Sequence, residues 1–193
     1  MVEMGINRED VPALEHYSKI RDSKNRAIIE IKKKRRISTK TFSFLFENRE
    51  IVLNQIEEMI FIEGIRDEEE IRRIIDVYSE LLPGRYRFSV SMFIEFEDEK
   101  TMLQSMKKMV GIENQVFLVY DSHEIHAVPE EGRSTNNLES TLQYLKFIFS
   151  EKEADEFKSS KNVFIEVRHR EYGESARIPD ELLSDLKNEL FNP

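Results

Sequence analysis

The chain has 193 residues, of which 39% are hydrophobic and 35% are charged, and its net charge is −9. A chain of this length buries roughly 70% of the surface that it exposes when unfolded, so we expect one folded domain over residues 1–193. The chain has no cysteine, which excludes disulfides, thiolate metal sites and a cysteine nucleophile.

Hydropathy and charge also bear on location and ligands. The N-terminal residues lack the apolar stretch of a signal peptide, and no apolar run approaches the roughly 20 residues that cross a bilayer. We therefore expect a cytoplasmic protein without a membrane span. The net negative charge argues against a general nucleic-acid binder, although residues 19–40 hold ten Lys and Arg against Asp22 and Glu30.

The N-terminal region, residues 9–36, has apolar residues at helical spacing and predicts two short helices. The first begins near Pro12, and the second lies around Ile28 and ends in a basic run. Basic side chains at a helix C-terminus interact favourably with the helix dipole. This run forms a basic patch of five residues, Lys32, Lys33, Lys34, Arg35 and Arg36. We expect the patch to be a solvated helix end. The alternatives are that it binds a protein partner, or that it binds RNA or another anionic ligand.

The segments that follow alternate between strand and helix patterns. Three phenylalanines at every second position place one apolar face on a strand, Thr39–Phe46. A helix is predicted from Arg49 to Glu63, ending at Gly64. The next helix begins at Asp67, which has a glutamate three positions later as in a capping box.

The C-terminal half continues with short strands and amphipathic helices. Strand patterns occur at residues 88–96, 116–120, 125–128, 142–149 and 163–168. With the first strand they make about six, and they are joined by short connections and interspersed helices. This arrangement predicts an α+β fold with a mainly antiparallel sheet and helices packed on one face. The polar stretch 129–139 predicts a mobile loop.

The helix Arg49–Glu63 carries polar groups on its apolar side. At 100° per residue its apolar residues fill an arc of roughly 200° that also contains Gln55 and Glu63, with Glu58 at the rim. An unpaired buried carboxylate costs several kcal/mol, so we expect Glu63 to be buried and paired with an arginine, and Glu57 to be exposed. The candidate arginines are Arg49, Arg35 and Arg36, and the alternative is a carboxylate-lined metal or ligand pocket.

Several segments resemble the domain of unknown function 3501 family, a family of prokaryotic proteins. They occur in the family's order over most of the chain: Phe46-Glu47-Asn48-Arg49, Gln55-Ile56-Glu57-Glu58-Met59, Phe93-Ile94-Glu95, Val110-Gly111-Ile112-Glu113 and Gln143-Tyr144-Leu145. The resemblance implies no established activity. Genes of family members often stand beside genes for rubrerythrin-like and Fe–S oxidoreductase proteins, which implies a protein partner of these classes and an oxidative-stress context.

One part of the family pattern differs in this chain. The family commonly has Asp-His-Pro-x-Tyr near its C-terminus, whereas this chain reads Arg168-His169-Arg170-Glu171-Tyr172. His169 and Tyr172 keep their types, while the carboxylate and the proline are replaced. A role that needs either of the replaced residues is not expected here.

Three functional hypotheses follow, and none of them includes a catalytic set or an organic cofactor. The leading hypothesis is a non-catalytic accessory protein that binds a protein partner. The second is an iron or manganese site built from Glu47, Glu58, Glu63 and His169, and the third is RNA or anion binding by the basic patch. The candidate binding residues are Glu47, Arg49, Gln55, Glu58, Glu63, Gln143, Tyr144, His169 and Tyr172, of which Gln143 is expected to bond a neighbouring backbone group.

Overall fold

The computed structural model describes residues 5–130 and 140–193. These residues form two compact units, a helical unit described over residues 5–35 and 47–83, and a mixed unit described over residues 36–46, 84–130 and 140–193. That the whole chain forms one domain stays a prediction, which requires that the two units unfold together. Of the loop predicted at 129–139, residues 131–139 lie outside the described residues.

The helical unit contains three α-helices. They are preceded by a 3-10 turn at Arg8–Asp10 and are α1 (Leu14–Arg35), α2 (Arg49–Glu63) and α3 (Glu68–Ser79). The sequence pattern predicts two helices where the structure has the single helix α1. No glycine or proline interrupts residues 14–35, so nothing breaks the backbone hydrogen bonding in the polar stretch between its two apolar patches.

The C-terminal end of α2 and the N-terminal end of α3 follow the predicted signals. Helix α2 begins where the Asn48 side chain accepts the N–H of Ile51 at 2.9 Å. Gly64 ends this helix with a φ of 64°, a conformation that favours glycine. The Asp67 side chain accepts the N–H of Glu70 and begins α3.

The mixed unit contains nine described strands in two antiparallel sheets. Along the chain the strands are β1 (Arg36–Ser38), β2 (Phe42–Phe46), β3 (Arg87–Ile94), β4 (Val116–Tyr120), β5 (His123–His126), β6 (Val128–Pro129), β7 (Leu142–Ile148), β8 (Val163–Val167) and β9 (Glu174–Arg177). The spatial order is β1-β2-β3-β7-β6 in the first sheet and β5-β4-β8-β9 in the second. The helices of this unit are α4 (Glu99–Met106), α5 (Glu151–Ser159) and α6 (Asp180–Glu189).

The predicted α+β class with antiparallel pairing is confirmed. The strands that the sequence pattern did not reveal, β1, β6 and β9, have two to four residues and lie at sheet edges, and such short segments show no period-two alternation. The two sheets share one hydrophobic core with α5 and α6, which includes Phe44, Val90, Ile165, Phe157 and Leu186. None of the described helices is long and apolar enough to cross a membrane.

Candidate functional site

A polar seam joins α1 to α2 in the helical unit, and Glu58 is at its centre. Arg21 donates to both carboxylate oxygens, from Nε at 2.8 Å and from Nη2 at 2.7 Å. The Tyr17 hydroxyl and the Asn25 amide donate to Oε1 at 2.8 and 3.1 Å. These donors, Arg21 above all, lower the pKa of Glu58 to about 2, so this carboxylate is charged at neutral pH.

Asn54 connects the same groups from the α2 side. Its amide nitrogen donates to the Tyr17 hydroxyl at 3.2 Å and to the Asn25 side-chain oxygen at 3.0 Å. Burial raises the pKa of Tyr17, and its hydrogen bond to Glu58 raises it further. Tyr17 therefore stays protonated, and its hydroxyl accepts from Asn54 and donates to Glu58, so the three side chains form one chain of hydrogen bonds.

Glu57 occupies the buried side of the seam. It is 2% exposed, against the prediction that it faces solvent, and Lys24 Nζ lies 2.5 Å from its Oε1. The other oxygen, Oε2, is buried and has no hydrogen-bond partner in the described part of the chain. Burial raises the pKa of Glu57, although Lys24 acts in the opposite direction.

The predicted burial of Glu63 is wrong, because the structure places this residue in solvent. Met59 and Ile62, which belong to the same predicted apolar arc, are 36% and 65% exposed. Apolar residues surround so much of α2 that its hydropathy defines no single inward face. The inward face is decided by α1, whose polar side chains pair with Glu57 and Glu58.

The residues considered as partners for Glu63 have other contacts. Arg49, at the start of α2, forms an ion pair with Asp10 at 2.8 Å. Arg35 is 5% exposed and donates to the backbone oxygen of Glu47 at 3.3 Å. Glu47 is itself buried, and the Gln55 side chain donates to its Oε2 at 3.2 Å.

Burial of Arg35 corrects the prediction of a continuous, solvated basic patch. Lys33 and Lys34 are exposed as expected, and Lys32 is half-buried. Arg36 belongs to the mixed unit, where it lies 3.5 Å from Glu95. The exposed basic surface at the end of α1 is therefore smaller than the sequence indicates.

The mixed unit holds the remaining predicted residues. Gln143 is 1% exposed, pairs with Met92 across β3 and β7, and donates to the backbone oxygen of Ser140 at 3.4 Å. Tyr144, next to it, is half-buried, and its backbone oxygen accepts the N–H of Glu130 at 2.9 Å. Gln143 thus has the backbone bond expected of a buried amide.

His169 and Tyr172 lie in the loop between β8 and β9. Their rings stack at a centroid distance of 5.6 Å, and His169 Nδ1 accepts the N–H of Glu171 at 3.3 Å. Lys108 forms an ion pair with Glu171 at 3.0 Å. Within residues 5–130 and 140–193, no group of three or more His, Asp or Glu side chains could hold a metal ion.

A two-lobed groove lies in the helical unit where α1 begins and α2 ends. The deeper lobe has a volume of about 140 Å³ and an apolar floor made of Pro12, Leu14, Ile60, Ile65 and Ile71. The wider lobe has a volume of about 460 Å³ and is lined by Leu14, Ser18, Lys19, Phe61 and Gly64. Leu14, Glu15 and Arg66 line both lobes, so the lobes adjoin.

Charged residues form the rim of this groove, and Glu15, Arg66 and Glu68 are exposed whereas Arg8 is half-buried. Arg8 makes two 2.8 Å hydrogen bonds to the carboxylate of Glu68, and Arg66 Nη1 lies 2.6 Å from Glu15 Oε1. Exposed ion pairs contribute little to stability, because water screens them and long side chains lose freedom in them. The Arg66–Glu15 pair, which is exposed at both ends, can therefore be exchanged at low cost, whereas Arg8 is held by two bonds to Glu68 and one to the backbone oxygen of Val11.

Sequence reasoning missed most of the seam and all of the groove. The seam had a detectable signal, because its residues on each helix are spaced three or four positions apart and so share one face. On α1 these residues are Tyr17, Arg21, Asn25 and Ile28, and on α2 they are Asn54, then Glu57 or Glu58, then Phe61. The groove had no such signal. Its floor joins residues from three elements, and their meeting is a property of the packed helices.

Comparison with known proteins establishes the family but adds no activity. A sequence model of the family described as "Protein of unknown function (DUF3501)" matches residues 5–190. The chain belongs to the DUF3501 family. This confirms the resemblance seen in the sequence segments.

One solved structure is similar over nearly the whole chain. It is a crystal structure of a protein of unknown function from Burkholderia pseudomallei K96243, with a TM-score of 0.88 and 29% sequence identity. The match covers 96% of this chain and 98% of that chain. No curated protein matches the chain.

Proposed function

We propose that this chain is a non-catalytic, cytoplasmic accessory protein that binds a protein partner through the groove of the helical unit. The supporting observation is the apolar floor of the groove, which is bordered by the exposed Arg66–Glu15 pair and by the Arg8–Glu68 pair. Buried apolar anchors surrounded by a polar rim are the usual arrangement of a protein–protein contact.

The deeper lobe is smaller than a usual small-molecule pocket, whereas the wider lobe is not. Pockets for small ligands commonly have 300–1,000 Å³ of enclosed volume, a range that includes the wider lobe at about 460 Å³ but not the deeper lobe at about 140 Å³. That volume suits one side chain. The wider lobe beside it provides a surface along which the rest of a segment can lie.

The charged residues of the seam join α1 to α2 and do not face the groove. A buried carboxylate with a raised pKa, such as Glu57, is a candidate general acid or base when it faces a cleft. Glu57 instead meets Lys24 of α1 and lines neither lobe of the groove. Glu58 accepts hydrogen bonds from three side chains of α1, so both carboxylates are used to join helices.

The partner class rests on the family resemblance, which implies a rubrerythrin-like or Fe–S oxidoreductase protein and an oxidative-stress context. The metal and RNA hypotheses also stay untested. Neither has a structural observation in its favour comparable to the groove, since Glu58 is bonded to Arg21 and Arg35 of the basic patch is buried.

Site-specific cross-linking in cells tests this proposal. A photoreactive amino acid at Ser18, in the wider lobe, should capture a distinct protein partner. The same amino acid at Val77, which is 65% exposed on α3 and lines neither lobe, is the matched control. The capture at Ser18 should disappear when Leu14→Glu places a charge in the groove. Equal capture at both positions, or none at Ser18, would contradict the proposal.

A further inference from the structure

We propose that the partner segment is acidic and apolar, inserting one Leu, Ile or Met side chain into the deeper lobe and placing Asp or Glu beside the wider lobe. This inference rests on the proposed function, because it names the chemistry of the partner at the same groove. It is carried by two features of the groove, the volume and isoleucine lining of its deeper lobe and the balance of charge on its rim.

The deeper lobe selects the anchor. The lobe has a volume of about 140 Å³, which leaves room for one side chain. Ile60, Ile65 and Ile71 line it together with the ion-paired residues Arg8, Glu15, Arg66 and Glu68. An aliphatic anchor gains by leaving water against the isoleucines, whereas a charged anchor would lose hydration and meet lining charges that are already paired with each other.

The rim selects the residues next to the anchor. The charged residues that line the two lobes are three cations, Arg8, Lys19 and Arg66, and two anions, Glu15 and Glu68. Each anion already has a partner at the rim, in the pairs Arg8–Glu68 and Arg66–Glu15.

Lys19 is the remaining rim charge. It is exposed in the wider lobe and has no ion-pair partner among the residues that the structure describes. A carboxylate next to the anchor would pair with Lys19, and it could also exchange with Glu15 at Arg66. A basic segment would instead meet an excess of positive charge, so the rim discriminates by sign.

A library of short random peptides displayed on phage is the probe. Selection on the whole protein should enrich an aliphatic residue close to Asp or Glu. Selection on Lys19→Glu should lose the acidic preference, and a synthetic peptide of the enriched type should bind this variant about tenfold more weakly in fluorescence anisotropy. Lys33→Glu reverses another exposed lysine of α1 outside the groove and should leave both results unchanged.

The outcomes separate this inference from the proposed function. Enriched peptides without an acidic preference, or the same acidic peptides binding equally to Lys19→Glu, would overturn the inference. If Ser18 still captures a partner in cells under that outcome, the proposed function stands. Failure of both the peptide selection and the cellular capture would overturn both, and circular dichroism of each variant confirms that it is folded.

Discussion

Glu57 and Glu58 are neighbours on α2, yet their surroundings move their pKa values in opposite directions. Arg21, Tyr17 and Asn25 stabilise the charged form of Glu58 and lower its pKa to about 2. Burial disfavours the charged form of Glu57 and raises its pKa. Ionised Glu58 therefore stabilises the fold at pH values above its unfolded pKa near 4.5. Glu57 has the opposite dependence, because the stability that its protonated form contributes is lost as pH rises through its folded pKa.

The pH dependence of stability tests the role of Glu58. Because its pKa is depressed, its contribution should be complete above about pH 4.5 and should disappear as pH falls towards 2, a loss on the order of 2 kcal/mol. Urea unfolding measured from pH 6 to pH 2 should show this decline in the native chain. Glu58→Gln should show a shallower decline, and parallel curves for the two proteins would contradict the assignment.

A comparison of two alanine substitutions on α2 tests the observed orientation of this helix. Glu58→Ala leaves Arg21 and the Tyr17 hydroxyl without their acceptor, and we expect a loss of about 1–3 kcal/mol. Glu63→Ala removes an exposed side chain and should change stability by less than about 0.5 kcal/mol. Denaturant midpoints measure both, and equal midpoints would mean that α2 has a different rotation about its axis.

At the scale of elements, the Lys24–Glu57 pair tests whether the seam adds stability or specifies how α1 and α2 pair. Lys24→Met alone leaves a buried carboxylate without its cation and should cost roughly 3 kcal/mol. Adding Glu57→Leu removes the stranded charge and should restore most of that loss, because apolar replacements of buried pairs are often neutral. A double-mutant cycle in urea measures the coupling. Lys33→Met, at an exposed position of α1, is the control.

The end of α1 offers a second test at this scale. Replacing Lys32, Lys33 and Lys34 together with alanine should preserve the fold, because these side chains are exposed or half-buried. Arg35→Ala removes a buried side chain that donates to the backbone oxygen of Glu47 and should lower the denaturant midpoint. A triple variant that unfolds before Arg35→Ala would contradict the observed burial.

At the scale of the whole molecule, we expect one cooperative unfolding transition that does not depend on metal. The mixed unit has a continuous apolar core, and in the described part of the chain no cluster of His, Asp or Glu could hold a metal ion. Calorimetric melting with and without EDTA should therefore superimpose. A lower melting temperature in EDTA would indicate a structural metal, and two separate transitions would show that the helical and mixed units unfold independently.

The sequence by itself was sufficient for features that depend on local chemistry. Helix α2 has the predicted bounds and ends at Gly64, and alternating phenylalanines correctly placed β2. The α+β class and the antiparallel pairing followed from the same short-range patterns. Segments spread over most of the chain were also enough to identify the family.

The rotation of α2, the assignment of strands to two sheets and the groove were decided by tertiary structure. Helix α2 is apolar around much of its circumference, so its own sequence allows several inward faces, and only pairing with α1 selects the face that carries Glu57. Strand β9 is too short to show a periodic pattern, and its place depends on pairing with β8. The groove brings Pro12, Ile60 and Ile71 together, a juxtaposition that no local pattern encodes because it exists only once three helices have packed.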